Sequence, residues 1–105
     1  LKNSEALRIL GNPLRMRILE ELLKGSRCVT KIAEKLGVSQ PAVTQHIRAL
    51  ERLNLVIGER KGNRIHYSIN LSGLEEMKKA ISQLLSGLEP REERCEDVEK
   101  CGCEE

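Results

Sequence analysis

Leu36-Gly37-Val38-Ser39-Gln40-Pro41-Ala42-Val43-Thr44-Gln45-His46-Ile47-Arg48-Ala49-Leu50 is the stretch on which the reading of this chain turns. Gly37 tolerates the left-handed conformation that closes a helix. Ser39 can cap the helix that follows, and Pro41 fits its first turn, where the missing N–H has no partner to lose. Val43, Ile47 and Leu50 then recur at i, i+4 and i+7, the spacing of one buried face. Just upstream, Val29, Ile32, Ala33 and Leu36 mark a short amphipathic helix that Gly37 ends. Two helices joined by the tight turn Gly37-Val38-Ser39 make a helix-turn-helix.

Beyond Leu55 the period changes. Leu55-Val56-Ile57 is β-prone, and Ile65, Tyr67 and Ile69 alternate with Arg64, His66 and Ser68 as in a half-buried strand. Between them lies Arg60-Lys61-Gly62-Asn63-Arg64, in which Gly62-Asn63 supplies turn residues that tolerate positive φ, so the spacing predicts a hairpin with a basic tip, a wing. In the other direction, Asn12-Pro13 starts a helix to about Leu23, with Gly25 as its stop, and a shorter helix precedes it around Ser4 to Leu10. The last helix, Leu71 to Ser86, carries Leu74, Met77, Ile81, Leu84 and Leu88 in a seam suited to another helix. The stripe either covers its own domain or forms a two-fold dimer interface that Leu7 and Leu10 complete; its length favours the dimer. The expected fold is mostly α with a small β-hairpin: a winged helix-turn-helix forming a homodimer through its terminal helices. Residues 1–88 form the winged-helix and dimerisation domain, and residues 89–105 an acidic, cysteine-containing tail.

Composition narrows the function. With 105 residues, no Phe or Trp and a single Tyr, the chain has one aliphatic core and lacks the aromatic platforms on which unpaired bases stack, which leaves double-stranded DNA as the nucleic acid open to it. Residues 1–88 hold 15 bases against 8 acids, a charge of +7, whereas residues 89–105 hold 3 bases against 8 acids, a charge of −5. A basic body suits a polyanion, although charge can also serve solubility alone. No apolar run approaches a membrane span and no signal-peptide pattern opens the chain, so a cytoplasmic protein is expected. No Ser-His-Asp arrangement, phosphate loop or paired acids in an apolar setting is present and Asp97 is the sole aspartate, so an enzyme is not expected.

Opposite the apolar face of the helix that begins at Ser39 stand Gln40, Thr44, Gln45 and Arg48. Gln can pair with adenine through two hydrogen bonds, Arg with guanine, and Thr can meet a thymine methyl, the chemistry of a helix in the major groove. Ser39 at the helix N-terminus can hold a phosphate, and Arg60, Lys61, Asn63 and Arg64 on the wing can reach neighbouring phosphates or the minor groove. Any exposed helix shows polar residues; the basic hairpin that follows directly favours DNA. His66 either joins the wing or has no role, and His46, between the two faces, suits packing or a hydrogen bond better than a metal.

These residues resemble the arsenic-repressor (ArsR) family of winged-helix metal-responsive regulators over about residues 4 to 70. Leu10 through Leu19 is similar to the family's opening L-x-x-P-x-R-x-x-I-L, Ile32-Ala33 with Leu36 through Gln40 to its helix-turn-helix, Val43 through Arg48 with Leu50 to its recognition helix, and Arg60 through Tyr67 to its wing. The resemblance implies a homodimeric repressor that holds double-stranded operator DNA and leaves it when a metal or metalloid ion binds. The family's arsenic-type Cys-Val-Cys site is reduced here to Cys28-Val29-Thr30, and its zinc-type site on the last helix needs Asp and His, neither of which Leu71 to Leu88 contains.

What remains is Cys95, Cys101 and Cys103. Three soft thiolates suit trigonal As(III) or Sb(III), and Cys28 is a candidate fourth ligand for tetrahedral Zn or Cd. At position 28 a Ser or Thr cap would be expected, so its cysteine is either a ligand or a tolerated structural thiol. For the tail the competing readings are a thiol redox switch and a solvated segment with adventitious metal affinity, and for the whole chain a winged-helix protein-docking module; acidic neighbours are expected to raise the tail thiol pKa values and so to favour a cation over oxidation.

Overall fold

In a computed structural model, which describes residues 3–90, the elements run α1 (Asn3–Leu10), α2 (Pro13–Leu23), β1 (Arg27–Cys28), α3 (Val29–Leu36), α4 (Gln40–Arg52), β2 (Val56–Lys61), β3 (Arg64–Ile69) and α5 (Leu71–Ser86). Local chemistry accounts for most of these boundaries. Asn12 caps α2, its Oδ1 accepting from the amides of Leu14 and Arg15 at 3.0 and 3.3 Å. Gly37 closes α3 at φ 66 and ψ 35, and the Val38 amide returns to the Ala33 carbonyl at 3.1 Å. The end of α4 uses Asn54 in the same left-handed region, φ 59, so that the Asn54 and Leu55 amides satisfy the carbonyls of Glu51 and Leu50.

Val43, Ile47 and Leu50 on α4 are wholly buried with Ile18 of α2, Ile32 of α3 and, nearly so, Leu55, an all-aliphatic core at the crossing of the three helices. A second part of the same core lies where α1 packs along α5, with Ala6 and Ile9 against Met77 and Ala80. The hairpin β2–β3 is antiparallel with Lys61 opposite Arg64, leaving Gly62-Asn63 as a two-residue turn. Only Gly62 takes a positive φ there (+63), the pattern of a type II′ turn, so the conformational freedom expected at Asn63 is not used.

The sheet has a third strand that no periodicity announces: β1 pairs with β3, Arg27 opposite Tyr67 and Cys28 opposite His66, giving the order β1-β3-β2. Alternation holds only near the base of the wing, where Tyr67 and Ile69 pack on the core; Ile65 is 42% exposed because the hairpin has already left the body there. Met77, expected on the seam, is only 2% exposed and joins the core beside the α1–α5 contact, at the floor of the groove between α2 and α5. Among the described residues no helix is long and apolar enough to cross a membrane.

The first turn of α5 is fitted against the end of α4. Asn70 donates through Nδ2 to the Asn54 carbonyl at 2.8 Å, its amide donates to the Leu55 carbonyl at 2.9 Å, and buried Gly73 lies directly on the Asn54 carbonyl. A Cβ at position 73 would overlap that oxygen. Gly73→Ala is therefore expected to lower the unfolding free energy by roughly 2 kcal/mol or more in chemical denaturation, although alanine is the better helix former by about 1 kcal/mol. An unchanged or raised stability would show that α5 can shift away freely.

Candidate nucleic-acid interface

With Val43, Ile47 and Leu50 of α4 fully buried, the opposite side of the helix is presented to solvent. Ser39, Gln40, Gln45 and Arg48 are exposed and Thr44 is half-buried. Together with Pro41, Glu51 and Arg52, the last four line one open concavity along the helix. Ser39 Oγ accepts from the Ala42 amide at 3.3 Å, so its hydroxyl proton stays free to donate at the helix N-terminus. Every side chain expected to read DNA on this helix therefore lies on one continuous surface.

Two arginines of α2 fasten the helix-turn-helix from behind. Arg17 donates through Nη2 to the Leu36 carbonyl at 3.2 Å, at the turn between α3 and α4. Arg15 donates through Nε to His46 Nδ1 at 3.2 Å, joining α2 to the middle of α4. Partial burial, and after it the Arg15 charge, push the His46 imidazole below its usual value. The ring is thus a neutral hydrogen-bond acceptor, as its position between the two faces suggested, and the Arg15 contact is a partner that sequence spacing could not identify.

On the wing, Arg60, Lys61, Asn63 and Arg64 are all exposed, but Arg60, Lys61 and Arg64 sit on paired strand ends while Asn63 shares the turn itself with Gly62. Arg64 leans back to the body, its Nη1 3.6 Å from Cys28 Sγ. Cys28 occupies the N-cap position of α3 without making a capping hydrogen bond. The Lys31 amide in the first turn, and after it the Arg64 guanidinium, hold its thiol below the usual thiol range against the opposing effect of burial.

Cys28 is the one cysteine among the described residues; Cys95, Cys101 and Cys103 lie outside them. Among the described residues no three His, Cys, Asp or Glu side chains come together as a metal site. Of the residues expected at a dimer interface, Leu7 and Leu88 are 57% and 72% exposed, Leu10, Leu74, Ile81 and Leu84 are half-buried, and Met77 is interior. Leu10, Leu74, Met77 and Ile81 line an open apolar groove of about 720 Å³ between α2 and α5, to which Met16, Leu19, Leu23 and Leu85 also contribute. Leu23 and Leu85, 61% and 58% exposed, were not marked as interface residues by the seam pattern, which follows one helix and cannot show a groove made by two.

Several known proteins are similar to this chain. The family model described as "Bacterial regulatory protein, arsR family" matches residues 12–57. The HTH-type transcriptional regulator NmtR of Mycobacterium tuberculosis is 41% identical over 66 residues, 63% of this chain and 55% of the relative. The arsenical resistance operon repressor of Staphylococcus xylosus is 33% identical over 67 residues, 64% of each chain. An HTH-type transcriptional regulator of Methanocaldococcus jannaschii is 31% identical over 84 residues, 79% of this chain and 94% of the relative. The chain thus spans only about half the length of NmtR and of the M. tuberculosis repressor SmtB, but nearly all of the archaeal relative. Among solved structures, the solution structure of a homodimeric winged helix-turn-helix DNA-binding domain from Mycobacterium bovis has a TM-score of 0.64 and 25% identity, covering 87% of this chain and 85% of that one.

The bond from Arg15 to His46 makes stability depend on pH. His46 has its folded-state pKa depressed below the unfolded value of about 6.5, so above that pH both states are neutral and the bond contributes in full. As pH falls through that value the unfolded chain takes up the proton first, and stability declines until the folded imidazole also titrates. Chemical denaturation from about pH 7.5 down to about pH 5 should show this loss, and His46→Asn, which keeps an acceptor for Arg15 and cannot titrate, should remove it. Equal slopes for the two proteins would refute the assignment.

Proposed function

The chain belongs to the arsR family of bacterial regulatory proteins, and from that premise we propose that it is a dimeric, cytoplasmic DNA-binding transcriptional repressor whose hold on its operator is weakened by a thiophilic metal or metalloid ion. The observation that carries the reading is the single surface of α4 bearing Gln40, Thr44, Gln45 and Arg48, its opposite face locked in the core, with a basic hairpin beside it. Gln45 and Arg48 supply discrimination between base pairs; Ser39, Arg60, Lys61, Asn63 and Arg64 supply phosphate contacts and hence salt-dependent affinity. Nothing in this surface resembles a catalytic site, and the proposed role is binding and not catalysis.

The dimer is supported by the apolar groove between α2 and α5 and by exposed Leu7 and Leu88, and by the homodimeric M. bovis neighbour. A two-fold pair would set two α4 helices on half-sites one helical turn, about 34 Å, apart. Leu7→Glu combined with Leu85→Glu is expected to turn the dimer into a monomer at micromolar concentration in sedimentation velocity; a dimer that survives both would place the interface elsewhere.

The donors we assign to the ion are Cys95, Cys101 and Cys103, with Cys28 as a fourth. Three thiolates suit As(III) or Sb(III) and four suit Cd or Zn, and the arsenical resistance operon repressor among the relatives supports this class of ligand. Bound ion and DNA then oppose each other through a coupling free energy of about 1–3 kcal/mol, acting equally in both directions. A second reading, a thiol redox repressor, has one observation in its favour: Cys28 is held toward its thiolate beside Arg64 of the wing.

Fluorescence anisotropy of the reduced protein on its own promoter duplex, at fixed salt, tests these roles. Arg48→Ala or Gln45→Ala should each erase about 1–3 kcal/mol of discrimination between cognate and scrambled duplex. Replacing Arg60 and Lys61 should weaken binding to both duplexes alike. As(III), Sb(III), Cd(II) or Zn(II) should release the wild type, and serine at positions 95, 101 and 103 should abolish that release. Binding indifferent to every ion but sensitive to peroxide would select the redox reading, and no selective binding at all would mark the chain as a protein-docking module.

A further inference from the structure

Beside the recognition face, and sharing Arg52 with it, lies a second basic feature that the proposed function does not use. A small concavity of about 240 Å³ opens between α1, α2 and the last turn of α4, lined by Arg8, Arg15 and Arg52 with Glu5, Ile9 and Leu53 among its other walls. Three arginines from three separate helices and one carboxylate, that of Glu5, line it. Among the described residues Glu5 forms no ion pair with any of them; the pairs present join Lys24 and Arg27 to Glu21 and Lys78 to Glu75. Arg15 is set in place by its Nε bond to His46, and among the described residues its terminal N–H groups make no other hydrogen bond. Arginines that pair with no carboxylate among the described residues are matched by a ligand with several anionic oxygens, and the planar guanidinium fork fits a phosphate.

Position says which phosphate. Arg52 lines both this concavity and the surface that carries Gln40, Thr44, Gln45 and Arg48, so the two features are continuous. Helix α4, with 13 residues, is about 20 Å long, whereas the major groove is about 12 Å wide. With the first turns of α4 at the base edges, its last turn emerges at the groove wall, where the sugar-phosphate backbone runs.

Resting on the DNA-binding reading, we propose that Arg8, Arg15 and Arg52 form a clamp for a backbone phosphate of the bound duplex, extending the interface from the helix-turn-helix and wing onto α1 and α2. The clamp adds affinity without base discrimination, and it couples DNA to α2 through the same Arg15 that holds His46.

The test uses the full chain with Arg8→Gln, Arg52→Gln and both together, keeping Arg15 for its bond to His46 and Lys79→Gln on α5 as a charge control. Circular dichroism and thermal unfolding establish that each variant is folded. Binding to cognate and scrambled duplexes is then followed by anisotropy over a range of salt. The double variant should weaken binding to both duplexes alike by roughly tenfold or more and reduce the slope of log K against log salt by about 0.9 for each phosphate that is no longer neutralised, while Lys79→Gln changes neither. Wild-type slope and affinity in the double variant, with Arg48→Ala still destroying discrimination, overturn the clamp and leave the DNA-binding reading intact. No duplex binding by the wild type overturns both. Titration with inorganic phosphate, read from the arginine Nε–H resonances, separates the sources: saturable shifts at Arg8 and Arg15 without any change in the DNA slope would overturn the clamp in favour of a free phosphate ligand.

Discussion

The complete burial of one face of α4 is the constraint on which the rest depends. Val43, Ile47 and Leu50 have no exposed surface, and the fully buried side chains around them, Ile18, Ile32 and Leu55, are all aliphatic. Branched aliphatic side chains occupy few rotamers and pack to high density, so this packing tolerates little rotation. A turn of one residue, about 100°, would bring Arg48 toward the core and carry Ile47 out. The direction in which Gln45 and Arg48 point is therefore decided by residues that never touch a ligand.

Polar fastenings supplement that packing and concentrate on the same helix. Arg17 reaches the turn before α4, Arg15 reaches its middle, and the carbonyl of Asn54 after its end receives Asn70. The first two come from α2, and the last, from the residue that precedes α5, also fixes where α5 begins. Glu21, buried near the end of α2, plays the same part for the sheet: Lys24 lies 3.1 Å and Arg27 3.8 Å from its carboxylate, anchoring the segment that becomes β1. The Lys24 hydrogen bond, more than the other nearby bases, keeps that carboxyl below its ordinary range, so the charge is retained at neutral pH.

Much of this was legible in the sequence, and the reasons differ from element to element. Asn12-Pro13, Gly37 and Ser39 act within a few residues of themselves, and the helices they bound begin and end where those residues place them. The partition of α4 into a core face and a polar face follows from period alone. Strand β1 was illegible because two residues carry no period and owe their conformation to a partner nearly forty positions away. That Met77 is nearly covered within its own chain was illegible because a leucine-rich stripe does not reveal which of its members a neighbouring helix will cover. For the same reason the bonds of Arg15 to His46 and of Arg64 to Cys28, each spanning more than thirty residues, required the fold before they could be seen.

The order of the sheet has a further consequence. With β3 in the middle, β2 is left as an edge, and among the described residues no strand pairs with its outer side along its six residues. Such an edge is a template on which a second copy could add its own strand, and a chain with an aliphatic core has β-prone segments to offer when partly unfolded. Here the outer half of that edge is Glu59-Arg60-Lys61, and the opposite edge, β1, is only two residues long. The charges on the wing thus also keep neighbouring copies from zipping together edge to edge, and replacing them with apolar residues would expose the protein to aggregation, whatever its effect on any ligand.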